Sequence, residues 1–142
     1  MPIRLHLLGS PAVESEDGLS ALALERRSQL VAYLALRRAW VGRAELAGLL
    51  WPGQSGKLAH ANLRKTLFRI QSLPWAGAIE TRGGALRFAA DTDVSAFESA
   101  LAEGRNGDAI ALHRGELLAG FDDGANQPWS DWLSYERDRL RS

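Results

Sequence analysis

The sequence has no cysteine, so it holds neither a disulfide framework nor a thiolate metal site, and a reducing, cytoplasmic setting is expected. Its three histidines, His6, His60 and His113, lie far apart and make no metal-ligand pattern. No uninterrupted apolar stretch approaches the roughly 20 residues that span a bilayer, so no membrane association is expected. The run from Ile3 to Leu8 is interrupted by Arg4 and His6 and leads into a turn rather than a cleavage site, so no signal peptide is expected. Catalytic constellations are also missing. His113, Asp122 and Asp123 are near one another in sequence, but no nucleophile, metal set or nucleotide motif completes them, so neither an enzyme nor a cofactor is expected. Gly83-Gly84 lacks the spacing of a phosphate-cradling loop.

What is present is an uneven distribution of charge. The formal net charge is zero, yet residues 1–90 carry twelve basic and six acidic side chains (+6), and residues 91–142 carry five and eleven (−6). A polyanion would be drawn to the first part and repelled by the second. Ordinary solvated faces would produce the same asymmetry, so the placement of the charges has to decide.

The periodicity predicts a small mixed architecture. Ile3, Leu5 and Leu7 alternate as in a strand; Ala12 to Glu14 can return as a second strand, Glu16-Asp17-Gly18 turn, and Leu22 with Leu24 fit a third. Helices are expected at about Arg26 to Arg38, with Leu30, Tyr33, Leu34 and Arg37 near one stripe, and at Arg43 to Leu50, stopped because Pro52 biases Trp51 out of the helical region. A third, Lys57 to Ser72, would be roughly 24 Å long. It places Ala59, Leu63, Thr66, Leu67 and Ile70 inward and Lys57, Ala61, Arg64, Lys65, Phe68, Arg69 and Ser72 around the other side. Ile79 to Arg82 and Ala85 to Phe88 form a hairpin about Gly83-Gly84. Pairing Arg82 with Ala85 puts Ile79, Thr81, Leu86 and Phe88 on one face and the opposite charges of Glu80 and Arg87 on the other. Beyond it Asp93 can cap a helix that exits at Gly104, a second helix covers about Asp108 to Arg114, and a third Trp129 to Leu140. The expected division is therefore 1–90, basic and mixed, and 91–142, acidic and all-helical. The acidic part ends right after its last helix, so it is expected either to continue in a longer chain or to lean on the first domain.

Strands, helix, short helix, long helix, hairpin is the order of an α+β winged helix-turn-helix with an N-terminal antiparallel sheet, in which the long helix enters the major groove of double-stranded DNA and the hairpin reaches backbone or minor groove. Arg64, Lys65 and Arg69 would meet phosphates or the acceptor edge of guanine. Asn62 would pair with adenine or a phosphate, Lys57 suits phosphate, Ala61 lies on the same face, and Arg82 at the hairpin tip is the wing contact. Phe68 either packs on a thymine methyl or covers the acidic segment. Asn62 alternatively bonds locally, His60 reads as a core or rim residue, Arg26 and Arg27 touch phosphate or end as solvated termini, and Trp40 and Trp51 read as packing residues. A rival function is a protein-interaction module that keeps the winged fold and uses the long helix, Phe68 included, against a protein.

The sequence resembles the bacterial regulators of antibiotic-biosynthesis clusters. The resemblance is carried by Ile3-Arg4-Leu5-His6-Leu7-Leu8-Gly9, Arg26-Arg27, the segment from Arg43 to Pro52, and that from Ala59 to Ile70. Asp93-Val94 with Phe97, the segment His113 to Leu118, and Trp132 with Glu136-Arg137 extend it. It implies a response-regulator-like winged helix followed by the start of a tetratricopeptide-like bacterial transcriptional activation domain. It also implies binding to direct repeats in promoter DNA by protomers side by side, recruitment of RNA polymerase, and a structural role for Leu49-Leu50-Trp51-Pro52. His60, Phe68 and Gln71 stand where that family commonly has arginine, a small polar residue and arginine, and Ala85 where it often has a larger wing residue.

Overall fold

The computed structural model describes residues 3–141. It begins β1 (Arg4–His6), β2 (Ala12–Ser15), β3 (Gly18–Ala21), α1 (Arg26–Arg37), β4 (Val41–Gly42), α2 (Arg43–Leu50) and α3 (Gly56–Ile70). A 3-10 turn over Ala76–Ala78 leads to β5 (Ile79–Arg82) and β6 (Ala85–Phe88), and the chain ends with β7 (Asp91–Thr92), α4 (Asp93–Ala102), α5 (Asn106–Leu112) and α6 (Gln127–Arg141). No helix among the described residues is long and apolar enough to cross a membrane.

The chain forms two compact units that do not follow the expected division at 90–91. One comprises Met1–Ala23 with Ala90–Asp122, the other Leu24–Ala89 with Asp123–Ser142. This sharpens the charge asymmetry. The first unit has three basic and ten acidic side chains (−7), the second fourteen and seven (+7).

In the acidic unit the sheet order is β3-β2-β1-β7. The expected antiparallel sheet is mixed, because β7 from the far side of the chain joins β1 in parallel, Leu5 opposite Thr92. The third strand is Gly18–Ala21 rather than one built on Leu22 and Leu24. Ser15 pairs with Gly18, so Glu16-Asp17 alone makes the turn, Gly18 takes the left-handed φ of 102°, and every residue of β3 is exposed. Asp93 does not cap α4 but is its first residue. Thr92 is the cap, its Oγ1 accepting the Ser95 amide, while the buried Asp93 carboxylate reaches back to accept the amides of Leu7 (2.8 Å) and Leu8 (2.9 Å). Those two amides lie just past the end of β1 and are buried, so the carboxylate completes a strand end that water cannot reach. Gly9 and Gly115 meet backbone to backbone. A Cβ on Gly115 would lie 3.1 Å from the Gly9 Cα, and the Gly9 amide donates to the Glu116 carbonyl at 3.0 Å. That close approach accounts for glycine in both resembling segments, and it seats the buried Leu117, Leu118 and Phe121 in the unit's core.

In the basic unit α1 is the central element. Ser28 to Leu36 are all buried, so the helix is covered nearly all round rather than along one stripe. Helices α2 and α3 and strand β6 pack against it, and Leu30, Leu34, Leu46, Leu50, Leu63 and Leu86 are its fully buried companions. Helix α6 packs on α2 and on the Tyr33 ring of α1. Trp132 lies 4.8 Å from the Tyr33 ring and 5.0 Å from Trp129, ring centre to ring centre. Buried Asn126 caps α6 through Oδ1, which accepts the Trp129 amide, and its Nδ2 donates 2.9 Å to the Leu49 carbonyl at the end of α2. Asp123 accepts from Arg26 at 3.0 Å and from Gln29 at 3.3 Å. The Tyr33 hydroxyl bonds to the Glu45 carboxylate, which Arg37 also engages. Burial, then the bond to Glu45, holds the phenol above its ordinary titration range.

Candidate nucleic-acid interface

Helix α3 begins at Ser55, whose Oγ accepts the Leu58 amide at 3.2 Å, and ends at Ile70, two residues short of the expected Ser72. The last turn tightens as the Gln71 amide bonds the Phe68 carbonyl and the Leu73 amide the Ile70 carbonyl, while the Ser72 hydroxyl caps the Arg69 carbonyl. Pro74 disfavours helical backbone at Leu73, so the helix cannot run on.

The inward set is Ala59, Leu63, Thr66 and Ile70, with Leu67 half-buried beside it. Thr66 is accommodated because its hydroxyl donates to the Asn62 carbonyl one turn back. On the other side Lys57, Arg64, Lys65, Phe68 and Arg69 are all exposed, and Ala61 and Asn62 lie at the margin, half-buried. None of the four cations has a carboxylate partner among the described residues. Four cations on one helix face without counter-ions hold a positive potential that an incoming polyanion neutralises.

The remaining side chains of this face differ in readiness. Asn62 is engaged locally, its Nδ2 donating 2.7 Å to Gln54 Oε1 in the α2–α3 connection. His60 sits at the rim with Nδ1 2.7 Å from the Gly56 carbonyl. Phe68 is 74% exposed.

The hairpin has the expected register, Ile79 opposite Phe88 through Arg82 opposite Ala85, and Arg87 pairs with Glu80 at 2.5 Å. Sequence reasoning missed its third strand. In β4, Val41 pairs with Leu86 and Gly42 with Ala85, giving the order β4-β6-β5. Alternation along these strands puts Trp40, Arg87, Glu80 and Arg82 on one face and Val41, Leu86, Thr81 and Phe88 on the other. Trp40 is therefore not a core residue. Its indole lies under two guanidinium groups, Arg82 at 4.3 Å and Arg87 at 4.6 Å from the ring centre. Arg87 is neutralised by Glu80, whereas Arg82 has no carboxylate partner among the described residues. The sequence predicts a brief extended link at Trp40-Val41, but so short a segment does not tell which strand it joins, and with that went the signal for Trp40.

Trp51 is half-buried at the end of α2, its amide bonded to the Ala47 carbonyl, which accords with a structural role for the Leu-Leu-Trp-Pro segment. It also lines an open cleft of about 520 Å³ together with Arg26, Arg27, Asn62, Lys65 and Arg69.

No protein-family model and no curated protein matches the chain. Among solved structures it is similar to Mycobacterium tuberculosis EmbR, a structure determined in complex with a low-affinity phosphopeptide. The TM-score is 0.64 and the identity 18%, over 97% of this chain and 42% of that one. The chain thus spans less than half the length of that protein, and the likeness is one of fold: a mixed α/β chain with a winged-helix-like domain.

Proposed function

We propose that this chain binds double-stranded DNA sequence-specifically and serves transcription regulation in the cytoplasm, without covalent chemistry of its own. The observation that carries this reading is the outer face of α3, where Lys57, Arg64, Lys65 and Arg69 stand exposed and without carboxylate partners among the described residues. In the major groove Arg64, Lys65 and Arg69 would meet guanine edges and phosphates, Phe68 a thymine methyl, and Ala61 leaves room for close approach. Lys57 would hold phosphate near the start of the helix. Asn62 would exchange its bond to Gln54 for a base or phosphate, and Arg82 would reach the flanking strand from the wing.

In the family the sequence resembles, such a unit sits on direct repeats in promoters, protomers side by side, and recruits RNA polymerase. We assign those partners to this chain on the resemblance, with α4 and α5 as the opening helix pair of a tetratricopeptide-like activation domain. The test is retention of a random duplex pool by the purified chain at several salt concentrations, followed by sequencing. An enriched repeat with affinity falling steeply as salt rises is the expected result; no retention at low salt would overturn the reading. The exposed Phe68 favours one rival, a protein-docking use of α3, and under that rival Phe68→Ala leaves any residual duplex affinity unchanged.

Trp40 supplies a finer test of the wing. A guanidinium laid on an indole face gains about 0.5–2 kcal/mol and loses rotamer freedom before any ligand arrives. Trp40→Ala is therefore expected to weaken duplex binding several-fold, and Trp40→Phe, which keeps a ring face, to recover most of it. Equal affinities for both variants and wild type, measured by fluorescence anisotropy of a labelled duplex, would remove Trp40 from the wing's function.

A further inference from the structure

The first turn of α1 breaks a local rule. Its positive N-terminal end carries Arg26 and Arg27 where acidic residues are favoured, no acidic residue lies in the first turn, and the cap residue Glu25 makes no side-chain cap. Arg26 is compensated by Asp123 and Gln29. Among the described residues Arg27 is paired only with Glu25, in an ion pair whose two side chains are 41% and 45% exposed. Across from it on α3 stand Lys65 and Arg69, neither with a carboxylate partner among the described residues. The cleft between them has Asn62 and Trp51 on its wall. A second open cleft, of about 610 Å³, lies alongside and is lined by Phe68, Gln71 and Ser72; Arg27 and Arg69 border both. The two hollows in series form a cation-edged track rather than a single-ion cup.

We propose that this cleft is a phosphate seat, with Arg27, Lys65 and Arg69 gripping one phosphate of a nucleic-acid backbone that runs on past Phe68 and Ser72. The inference rests on the DNA reading above and extends the footprint beyond the outer face of α3 and the wing to the start of α1. Two features favour a strand over a free phosphate-bearing anion: the track continues past the first cleft, and Lys65 and Arg69 belong at once to the cleft and to the α3 face. Glu25 is the stand-in for the ligand. Its carboxylate holds Arg27 in the free protein and is displaced when a phosphate oxyanion takes the same guanidinium. Local rules of helix electrostatics fail most readily where a ligand completes the charge balance.

The experiment compares Arg27→Ala, Glu25→Gln and Arg64→Ala in the full chain, on the duplex retained best by the wild type and on an unrelated duplex. Arg27→Ala is expected to weaken both by about tenfold. It should lower the salt slope by about 0.9 for one lost phosphate contact and leave the ratio between the two duplexes unchanged. Glu25→Gln, which frees Arg27, is expected to tighten both. Arg64→Ala instead changes the ratio. If Arg27→Ala and Glu25→Gln bind with wild-type affinity and slope while Arg64→Ala binds less well, the cleft assignment falls and the DNA reading stands. If the wild type binds no duplex, the DNA reading falls, and thermal unfolding with pyrophosphate at constant ionic strength decides the cleft. A rise in Tm for the wild type and for Arg82→Ala but not for Arg27→Ala supports a seat for free phosphate groups; no rise overturns the seat altogether.

Discussion

Replacing Arg64 and Lys65 together by alanine is expected to weaken duplex binding by about two to four orders of magnitude, since each charge-assisted contact contributes roughly 1.5–3 kcal/mol. Two lost phosphate-neutralising cations would also lower the slope of log affinity against log salt by about 1.8. The fold should not respond. Both side chains are exposed on α3, neither has a carboxylate partner among the described residues, and surface changes of this kind stay within about 0.5 kcal/mol. Circular dichroism melting and anisotropy titration on the same samples separate the two effects. Wild-type affinity in a folded double variant would remove α3 from the interface. A parallel loss of Tm and affinity would make the effect one of stability instead.

The second large effect concerns the acidic unit. Asp93→Ala strips both acceptors from the buried amides of Leu7 and Leu8 and leaves them unpaired in a site where Asp93 is 1% exposed. Each unsatisfied buried donor costs about 1–3 kcal/mol, so the loss is expected near 4 kcal/mol, a large part of the stability of a small domain. Asp93→Asn keeps the shape but turns one acceptor into a donor facing an amide, and about half that loss is expected. The carboxylate also sits in the first turn of α4, where negative charge is favoured, and both variants forfeit that contribution of about 0.3–1 kcal/mol. Urea unfolding gives the magnitude. Hydrogen exchange at Leu7 and Leu8 gives the place, because their protection should fall in the variants while that of buried α1 amides such as Leu34 does not fall to the same degree. An Asp93→Ala protein within about 1 kcal/mol of wild type would mean that water or backbone relaxation satisfies those amides.

The elements that were legible in the sequence share one property: their signal lies within a few turns or one hairpin. Helix α2 has the expected bounds because Pro52 acts on its immediate neighbour. The wing has the expected register because Gly83-Gly84 and the alternation of Ile79, Thr81, Leu86 and Phe88 specify the same pairing. The outer face of α3 follows from angular spacing alone, with every expected residue exposed or half-buried. Where expectation and structure part, the deciding partner is distant in sequence. Strand β7 pairs with β1 across more than eighty residues, and the same separation divides Asp93 from Leu7. Asp93 read locally is a helix cap, since an acidic residue before an apolar helix has that signature, and nothing near it in the chain announces two unpaired amides.

The candidate interface divides in the same way. Composition and periodicity by themselves determined a basic helix-turn-helix with a hairpin behind it, and which face of α3 carries its cations, because 3.6-residue and two-residue repeats dictate where side chains point once helix and strand form. Only the tertiary structure decided that Trp40 lies beneath Arg82 and Arg87, that Arg27 faces Lys65 and Arg69 across a cleft, and that α6 belongs with the basic unit through Asn126, Trp132 and Asp123. The physical reason is that charge and aromatic faces act over a few ångströms of space. Which residues share those ångströms depends on how strands and helices far apart in the chain pair and pack, and no local pattern contains that information.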